Sequence, residues 1–512
     1  MQEQRRRDST ERWLTPERAY LGVAGVLAVL MLGNTLNRLW SNLDFWVWLG
    51  AVREFAERPF DPSHPLLAVD APDPYMGPYT FVLGLITRAI SADPVVVIAV
   101  AGLANLALVV GGLWRLTRAV SPAPYAPVLA LVFTLLAWGW QPWRWAGYLN
   151  LNSIGSGLPY GSTFAFGVGL FCLAALWLWL REGGNHHLVV FGIGFPIVVL
   201  SHQLTGLWVA LIAIGFTLPA LDSLGRERFL KLVFAVVVAA GLVLAWPFYS
   251  VVELITSLDG FDDINRATYR RVASRTFLAL PGLVILGVRL RRSWRDPLGL
   301  AALLTAFVFV IGWVGDRGSI GRVLPGLLLL AHLAMADWFA RRLMDSDENR
   351  SRMRGMRAAL SVVIIIGLIG TAPGWLRTVP REVVPERAAD RLRVVSLVEP
   401  NLAFAEIIPD DAVVIAPDRI NVAVGGVAAK VTSVGIPAPF VPDAARRSAD
   451  VITILSPSTA EADRDALISR YRADWIVVDP GRAALLLPQL PGARVVGDVS
   501  GYSVIRLEPD PP

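Results

Sequence analysis

Cysteine is nearly absent: Cys172 is the only one in 512 residues, and it lies inside an apolar run. A single buried-type thiol cannot make an intrachain disulfide, so a disulfide-stapled secreted module is excluded, and a reactive or metal-bound thiol is not expected. Charge is scarce as well. Only 17% of residues are charged, against roughly a quarter in an ordinary soluble domain. That leaves too little to coat a water-facing surface, which excludes a soluble enzyme and a disordered chain. No HExxH, no Cys pair and no Ser-His-Asp spacing is present, which argues against a zinc protease or serine-hydrolase site. No internal repeat or low-complexity segment is evident.

What is present is apolar. Hydrophobic residues make up 54% of the chain, with 18 tryptophans, and the mean hydropathy is +0.52. Apolar windows recur from about residue 20 to residue 376, many close to the ~20 residues that cross ~30 Å of hydrocarbon. The fold class expected is therefore mainly α, a polytopic helical membrane protein. Its net charge of +5 sits in the membrane part: residues 1–376 hold 32 Lys and Arg against 24 Asp and Glu, and residues 377–512 hold 15 against 18. This excess reads as topology and contact with the bilayer, and nucleic acid is not expected as a partner.

Residues 1–19 carry Arg5, Arg6, Arg7, Arg12 and Arg18 without an apolar core and read as a cytoplasmic tail, with no cleavage site for a removable signal peptide. Spans are expected at about 20–40, 94–114, 124–141, 162–181, 187–201, 204–221, 230–249, 275–290, 297–315, 321–340 and 358–376. Linkers with Arg115 and Arg118, Arg181, Arg226 to Lys231, Arg289 to Arg295, and Arg341 to Arg357 are each two spans apart, so all five fit the cytoplasmic side. The alternate linkers, 142–161, 202–203, 250–274 and 316–320, then face outward, with Trp143, Trp145, Tyr148 and Tyr160 as interfacial anchors. Tyr79 to Ile90 is short for a crossing and reads as a half-crossing or juxtamembrane helix. The count is about 11 transmembrane helices, or 13 if this and another short run both cross. Either odd number puts the C-terminal region outside.

Residues 377–512 read as a small extracytoplasmic α/β domain. Strands are expected at Ala412–Ala416, Val422–Val424, Val431–Val434, Val451–Leu455, Trp475–Val478 and Tyr502–Leu507, and helices around Arg387–Ile407, Ala460–Tyr471 and Arg482–Leu487. The VGGV at Val424 to Val427 is not a GxGxxG phosphate loop. The domain is expected to act as a lid, a partner surface or a brace.

The first outer loop, 41–78, is the most informative stretch. Trp46, Leu49, Val52 and Phe55 recur at helical spacing, with Arg53, Glu54, Glu57 and Arg58 facing away, which predicts an interfacial amphipathic helix over Phe45 to Phe60. Asp44, beside Phe45 and Trp46, is either an N-cap for that helix or a carboxylate poised as a base. Asp61, His64, Asp70 and Asp73 follow in a Pro-rich loop, with a spacing that matches no Ca²⁺ or Zn²⁺ loop; no metal or other cofactor is claimed. Arg144, His202, Gln203, Asp316, Arg317 and Arg322 lie in outward linkers or at outer span ends, where arginine either forks onto phosphate oxygens or snorkels to headgroups. His202 either binds a phosphate or bonds its own backbone.

This order of parts resembles the GT-C superfamily of polytopic glycosyltransferases that use polyprenyl-phosphate-linked sugars. The resemblance rests on the basic tail, one span, the acidic loop NLDFWVWLGAVREFAE, then PYMGPYTFVLGLI, a many-span body over 20–376 and an outer domain over 377–512. It implies a plasma-membrane enzyme that moves a sugar from a polyprenyl phosphate to an extracytoplasmic lipid, glycan or protein acceptor. It implies Asp44 as catalytic base or acceptor-orienting group. Arg317, Arg322, His202 and Arg144 would hold the donor phosphate, with His64, Asp70, Asp73, Gln203 and Asp316 in the acceptor or donor pocket. Several branches carry a second acid in the next outer loop, whereas QPWRWAGYLNLNSIGSGLPYGS offers only Asn150 and Asn152. That departure speaks against metal dependence and oligosaccharyltransferase-like chemistry. The competing classes are a lipid or glycolipid flippase and a non-catalytic envelope assembly protein. A flippase is disfavoured because no pseudo-repeated halves appear, and an assembly protein predicts that Asp44 is dispensable.

Overall fold

The computed structural model describes residues 15–40, 42–257, 259–344, 350–379, 396 and 398–507. Most of the expected basic tail, and 387–395 of the helix expected at Arg387–Ile407, lie outside them. Helix dominates, and the protein is a multi-pass membrane protein. Among the described residues seven helices are long and apolar enough to span a bilayer: Pro16–Leu36, Pro94–Val120, Gly161–Glu182, Gln203–Ser223, Val272–Arg292, Pro297–Val314 and Ile320–Leu343. Arg354–Gly370 and Ala372–Thr378, bent by 55°, make an eighth if taken as one span. The remaining three of the eleven expected spans fall short for physical reasons. Ala126–Leu136 has 11 residues and Asn185–Ser201 has 17, about 16 and 25 Å at 1.5 Å per residue. Arg226–Leu244 opens with Arg226, Glu227, Arg228 and Lys231. Pro78–Ile90 is a 13-residue helix, about 20 Å long, too short to cross.

The chain forms two compact units that do not follow chain order. The first gathers Met1–Asn37, Gly102–Ala245 and Phe261–Val394; the second gathers Arg38–Ala101, Trp246–Gly260 and Val395–Pro512. The first outer loop, expected within a body spanning 20–376, thus groups with the C-terminal residues.

The first unit is a bundle whose core includes Phe133, Leu170, Val209, Ile212, Ala301 and Ala331, all buried. Small residues let its helices approach, as where Gly215 meets Ala301 and Gly282 meets the backbone of Ala331. Polar residues gather at its two ends. At one, Ser121 donates to Asp337 (2.5 Å), Arg341 binds Asp337 (2.9 Å) and Arg289 binds Asp296 (2.8 Å). At the other, Trp143 donates to the Ala267 carbonyl (3.3 Å) and Arg317 pairs with Asp262 (3.1 Å). The 18-residue helix Pro297–Val314 runs between them, capped by Asp296 and followed by Asp316. Three of the arginine linkers expected on one side therefore meet at one end, and the alternate linkers meet at the other. Of the expected aromatic anchors, Trp143, Tyr148 and Tyr160 are buried in protein and Trp145 is half-buried; Trp143 and Trp145 pack against the Tyr148 ring.

In the second unit a five-stranded mixed sheet runs in the order β2-β1-β3-β5-β4, with β1 Val413–Ile415, β2 Lys430–Val431, β3 Trp475–Val478, β4 Arg494–Val499 and β5 Tyr502–Arg506. The central strands are β-branched and buried, as befits parallel pairing of β1 with β2 and β3. Labelled within this unit, the helices are α1 Asn42–Glu57, α2 Pro78–Ile90, α3 Ile420–Val427, α4 Ala444–Ile454, α5 Glu461–Tyr471 and α6 Pro480–Leu486. Two expected strands are helical: Val422–Val424 lies in α3 and most of Val451–Leu455 in α4. Short apolar runs do not separate strand from buried helix. The edge of β2 is continued by the first loop, where Leu67 bridges Val431, and Ala68 N and Leu66 O exchange hydrogen bonds of 3.0 and 2.8 Å with Val431.

Candidate active site

The loop between Leu136 and Gly161 holds the most distinctive polar arrangement of the first unit. Its turns are closed by its own side chains: Asn150 donates to the Trp143 carbonyl (3.0 Å), Asn152 to that of Pro142 (2.8 Å), and Ser153 to that of Trp145. Gly147 takes a positive φ of 79°, which its missing Cβ permits. A Cβ there would sit 3.6 Å from Arg322 Nη2 and 3.7 Å from His202 Cε1, so one backbone position borders both the guanidinium and the imidazole. Arg322, only 9% exposed, donates to Asn265 Oδ1 (2.8 Å) and to the Ala146 carbonyl, and lies over the rings of Trp145 and Tyr148 at 5.4 and 5.2 Å. This cage holds the guanidinium rigidly.

His202 breaks the chain between Asn185–Ser201 and Gln203–Thr217 and caps the second helix. Its Nδ1 accepts from Thr205 N (3.2 Å) and lies 2.9 Å from Thr205 Oγ1. The backbone-bonding reading of His202 thus describes Nδ1. Gln203 is the first residue of that helix and is half-buried. Arg144, in the same loop as Gly147, is half-buried and makes no hydrogen bond or ion pair with the described residues. Burial lowers the pKa of its guanidinium, partly offset by Tyr160. Arg317 and Asp316 are engaged elsewhere: Arg317 with Asp262, and Asp316 with Arg266 at 2.9 Å. Sequence reasoning missed Asn265, which anchors Arg322 from a short loop helix and carries no motif, and it read Trp145 and Tyr148 as lipid anchors instead of the walls of an arginine cage.

In the second unit, Asp44 lies within the first turn of α1, because the helix begins at Asn42. A carboxylate there is favoured by the helix dipole, but it is not the N-cap. Its apolar side chains pack into protein: Phe45, Trp46, Val47, Trp48, Leu49, Val52 and Phe55 are all buried. Glu54, expected to face away, is buried as well. It accepts from Lys430 Nζ (2.5 Å), Arg58 (2.5 Å), and the N and Oγ of Ser63 (2.7 and 3.0 Å). Burial works to raise its pKa, but the Lys430 ammonium and these hydrogen bonds outweigh it and hold the carboxyl below the ordinary glutamate value.

His64 and Asp73 meet each other. His64 Nδ1 accepts from the backbone N–H of Leu66 and Leu67 (3.2 and 3.0 Å), which leaves the proton on Nε2, 3.3 Å from Asp73 Oδ2. Burial, then the charges of Lys430 and Arg447, lower His64 to about 3. Burial raises Asp73 to about 7, against a hydrogen bond from Tyr75 N. The pair ties the loop together. Asp70, with Arg58, Asp61, Ser63 and Lys430, borders a cleft of about 480 Å³. Among the described residues no three His, Cys, Asp or Glu side chains gather as a metal set.

Comparison with solved structures decides the architecture. ArnT from Cupriavidus metallidurans, bound to undecaprenyl phosphate, matches over 96% of this chain and 98% of its own at 14% identity, with a TM-score of 0.55. The chain has a GT-C-like fold. The same GT-C match holds for apo ArnT, over 95% and 97% of the two chains at 14% identity and a TM-score of 0.54. The arabinofuranosyltransferase AftD from Mycobacteria matches over 96% of this chain at 16% identity and a TM-score of 0.58, and this chain spans 40% of it. No protein-family model matches the sequence, and no curated protein matches it.

Proposed function

We propose that the protein is a membrane glycosyltransferase that moves a sugar from a polyprenyl-phosphate donor to an acceptor hydroxyl outside the cytoplasm. The observation that carries this reading is the likeness along nearly the full length of both chains to ArnT holding undecaprenyl phosphate. Two arginines and an imidazole of the first unit support it. Arg322, caged and pre-oriented, Arg144, desolvated without a carboxylate, and His202 are assigned the donor phosphate, with Gln203 beside them; a preorganised cation costs no reorganisation when charge develops on the leaving oxygen. Arg317 and Asp316, each ion-paired, are assigned a lesser part at the rim.

Asp44 is assigned the acceptor. Its carboxylate takes the hydroxyl proton as the acceptor oxygen bonds to the anomeric carbon; the bond from that carbon to the phosphate oxygen breaks, and the phosphate leaves with the electron pair. Polyprenyl phosphate is a good leaving group, so positioning and charge neutralisation carry most of the catalysis. Asp70 is assigned to acceptor contacts, with His64 and Asp73 shaping the loop that bears it. The test is a titration of the purified protein with undecaprenyl phosphate, read by tryptophan fluorescence, since Trp145 lies against Arg322. Saturable binding that neither an uncharged polyprenol nor free inorganic phosphate reproduces is expected. Absence of binding contradicts the assignment.

A further inference from the structure

One face of α1 is gripped by the C-terminal part of its unit. Trp46, Gly50, Arg53 and Glu54 recur at i, i+4, i+7 and i+8 and so share that face. The VGGV motif of α3 packs there: a Cβ on Gly426 would come 2.5 Å from the Trp46 carbonyl oxygen and 2.8 Å from Trp46 Cβ, while one on Gly50 would lie 3.5 Å from Gly426 Cα. The two glycines let helix backbones touch. Arg53 then crosses the end of α3, donating to the carbonyls of Gly426 (3.3 Å) and Ala428 (2.7 Å) and pairing with Asp410 (2.9 Å). Lys430, the first residue of β2, reaches buried Glu54 and also donates to the His64 carbonyl (2.7 Å). Asp44 lies nine residues before Arg53, at about 100° per residue roughly half a turn around the helix, on the side away from these contacts.

We infer that the C-terminal α/β module is a brace for the catalytic helix, and that Gly426, Arg53 and the Glu54–Lys430 pair are positioning residues that set where Asp44 stands. The role given to Asp44 rests on the proposed transferase reading; the mechanical coupling does not. The glycines fix the distance between α1 and α3, since any side chain at Gly426 meets backbone that cannot rotate away. The ion pair and Arg53 fix the helix along its axis. A displacement of about 1 Å in a reacting group costs roughly 10²-fold in rate.

The test uses the full chain in lipid nanodiscs. Deuterium exchange is followed over residues 42–57, with 475–486 in the same unit as an internal reference, in Gly426→Ala, Lys430→Met and Lys430→Arg, and in Gly241→Ala, a glycine with open space around it. Gly426→Ala and Lys430→Met are expected to speed exchange over 42–57 at least tenfold while 475–486 keeps its wild-type rate. Lys430→Arg is expected to restore most of the protection, and Gly241→Ala to change neither segment. Wild-type exchange over 42–57 in both variants, or equal loosening of 475–486, overturns the brace. In a transfer assay Gly426→Ala is expected to lower kcat about 10²-fold with the donor KM unchanged; full kcat with a loosened helix overturns the positioning role. An active Asp44→Asn protein would refute the base assignment instead, and the exchange measurement would still decide the brace.

Discussion

Arg144 and Arg322 make opposite predictions, which separates a ligand-binding cation from a structural one. Arg322 satisfies Asn265 Oδ1 and the Ala146 carbonyl, and Asn265 is buried. Arg322→Met leaves both acceptors without this donor, at about 1–3 kcal/mol each, and forfeits two ring contacts worth about 0.5–1 kcal/mol apiece. The purified protein should therefore lose a few kcal/mol of stability along with its affinity for polyprenyl phosphate. Arg144 bonds to none of the described residues and is already desolvated, so Arg144→Met removes a cost without removing a bond. Its ligand-free stability should stay within about 0.5 kcal/mol of wild type or rise. Its affinity for undecaprenyl phosphate should still fall by the value of a charge-assisted contact, about 1.5–3 kcal/mol, or roughly 10–150-fold in Kd. Thermal unfolding of both variants in detergent, with and without undecaprenyl phosphate, reads the two quantities together. If Arg144→Met is destabilised as much as Arg322→Met, or binds the lipid with wild-type affinity, the assignment of Arg144 to the phosphate is refuted.

The His64–Asp73 pair gives a pH prediction. His64, lowered from 6.5 to about 3, contributes stability that is present above pH 6.5 and is lost as pH falls toward 3. Asp73, raised from 3.8 to about 7, contributes stability that is present below pH 3.8 and is lost as pH rises through 7. The slopes cancel between those limits, so Asp73→Asn should expose the His64 slope, about 1.4 kcal/mol lost per unit as pH drops below 6.5. Unfolding midpoints between pH 4.5 and 8 check this; a flat profile in the variant contradicts it. For topology, single cysteines at Glu182 and Asp263 in a Cys172→Ala background should lie on opposite sides. An impermeant maleimide should label Asp263→Cys in intact cells, and Glu182→Cys only after permeabilisation. The reverse pattern, or labelling of both in intact cells, contradicts the arginine alternation.

The membrane class and the polar linkers were legible in the sequence because they rest on long-range hydropathy and on arginine spacing, which a bilayer enforces directly. Helix α1 was legible as a helix but not as a buried one. Its amphipathic pattern places Glu54 on the polar face, and only Lys430, some 376 positions away, explains why a carboxylate goes inside. The VGGV of α3 illustrates the same limit: four apolar or small residues fit a strand or a helix equally, and what selects the helix is the close approach to Trp46 and Gly50. Within the candidate site, Arg322 and His202 were singled out from their place at an outer span end and in an outward linker, and both lie beside Gly147. Asn265 was not found, because a neutral amide in a loop has no signature until its partner is known. His64 and Asp73 were expected in an acceptor or donor pocket, and the structure pairs them with each other at 3.3 Å.

The central claim is that a first-loop carboxylate performs sugar transfer from a lipid-phosphate donor. Asp44→Asn keeps the shape of the side chain and removes its basicity, so membranes containing this variant should bind undecaprenyl phosphate as the wild type does. They should also lose transfer of labelled sugar from a polyprenyl-phosphate donor by about 10²-fold or more. Wild-type transfer by a folded Asp44→Asn protein would contradict the account.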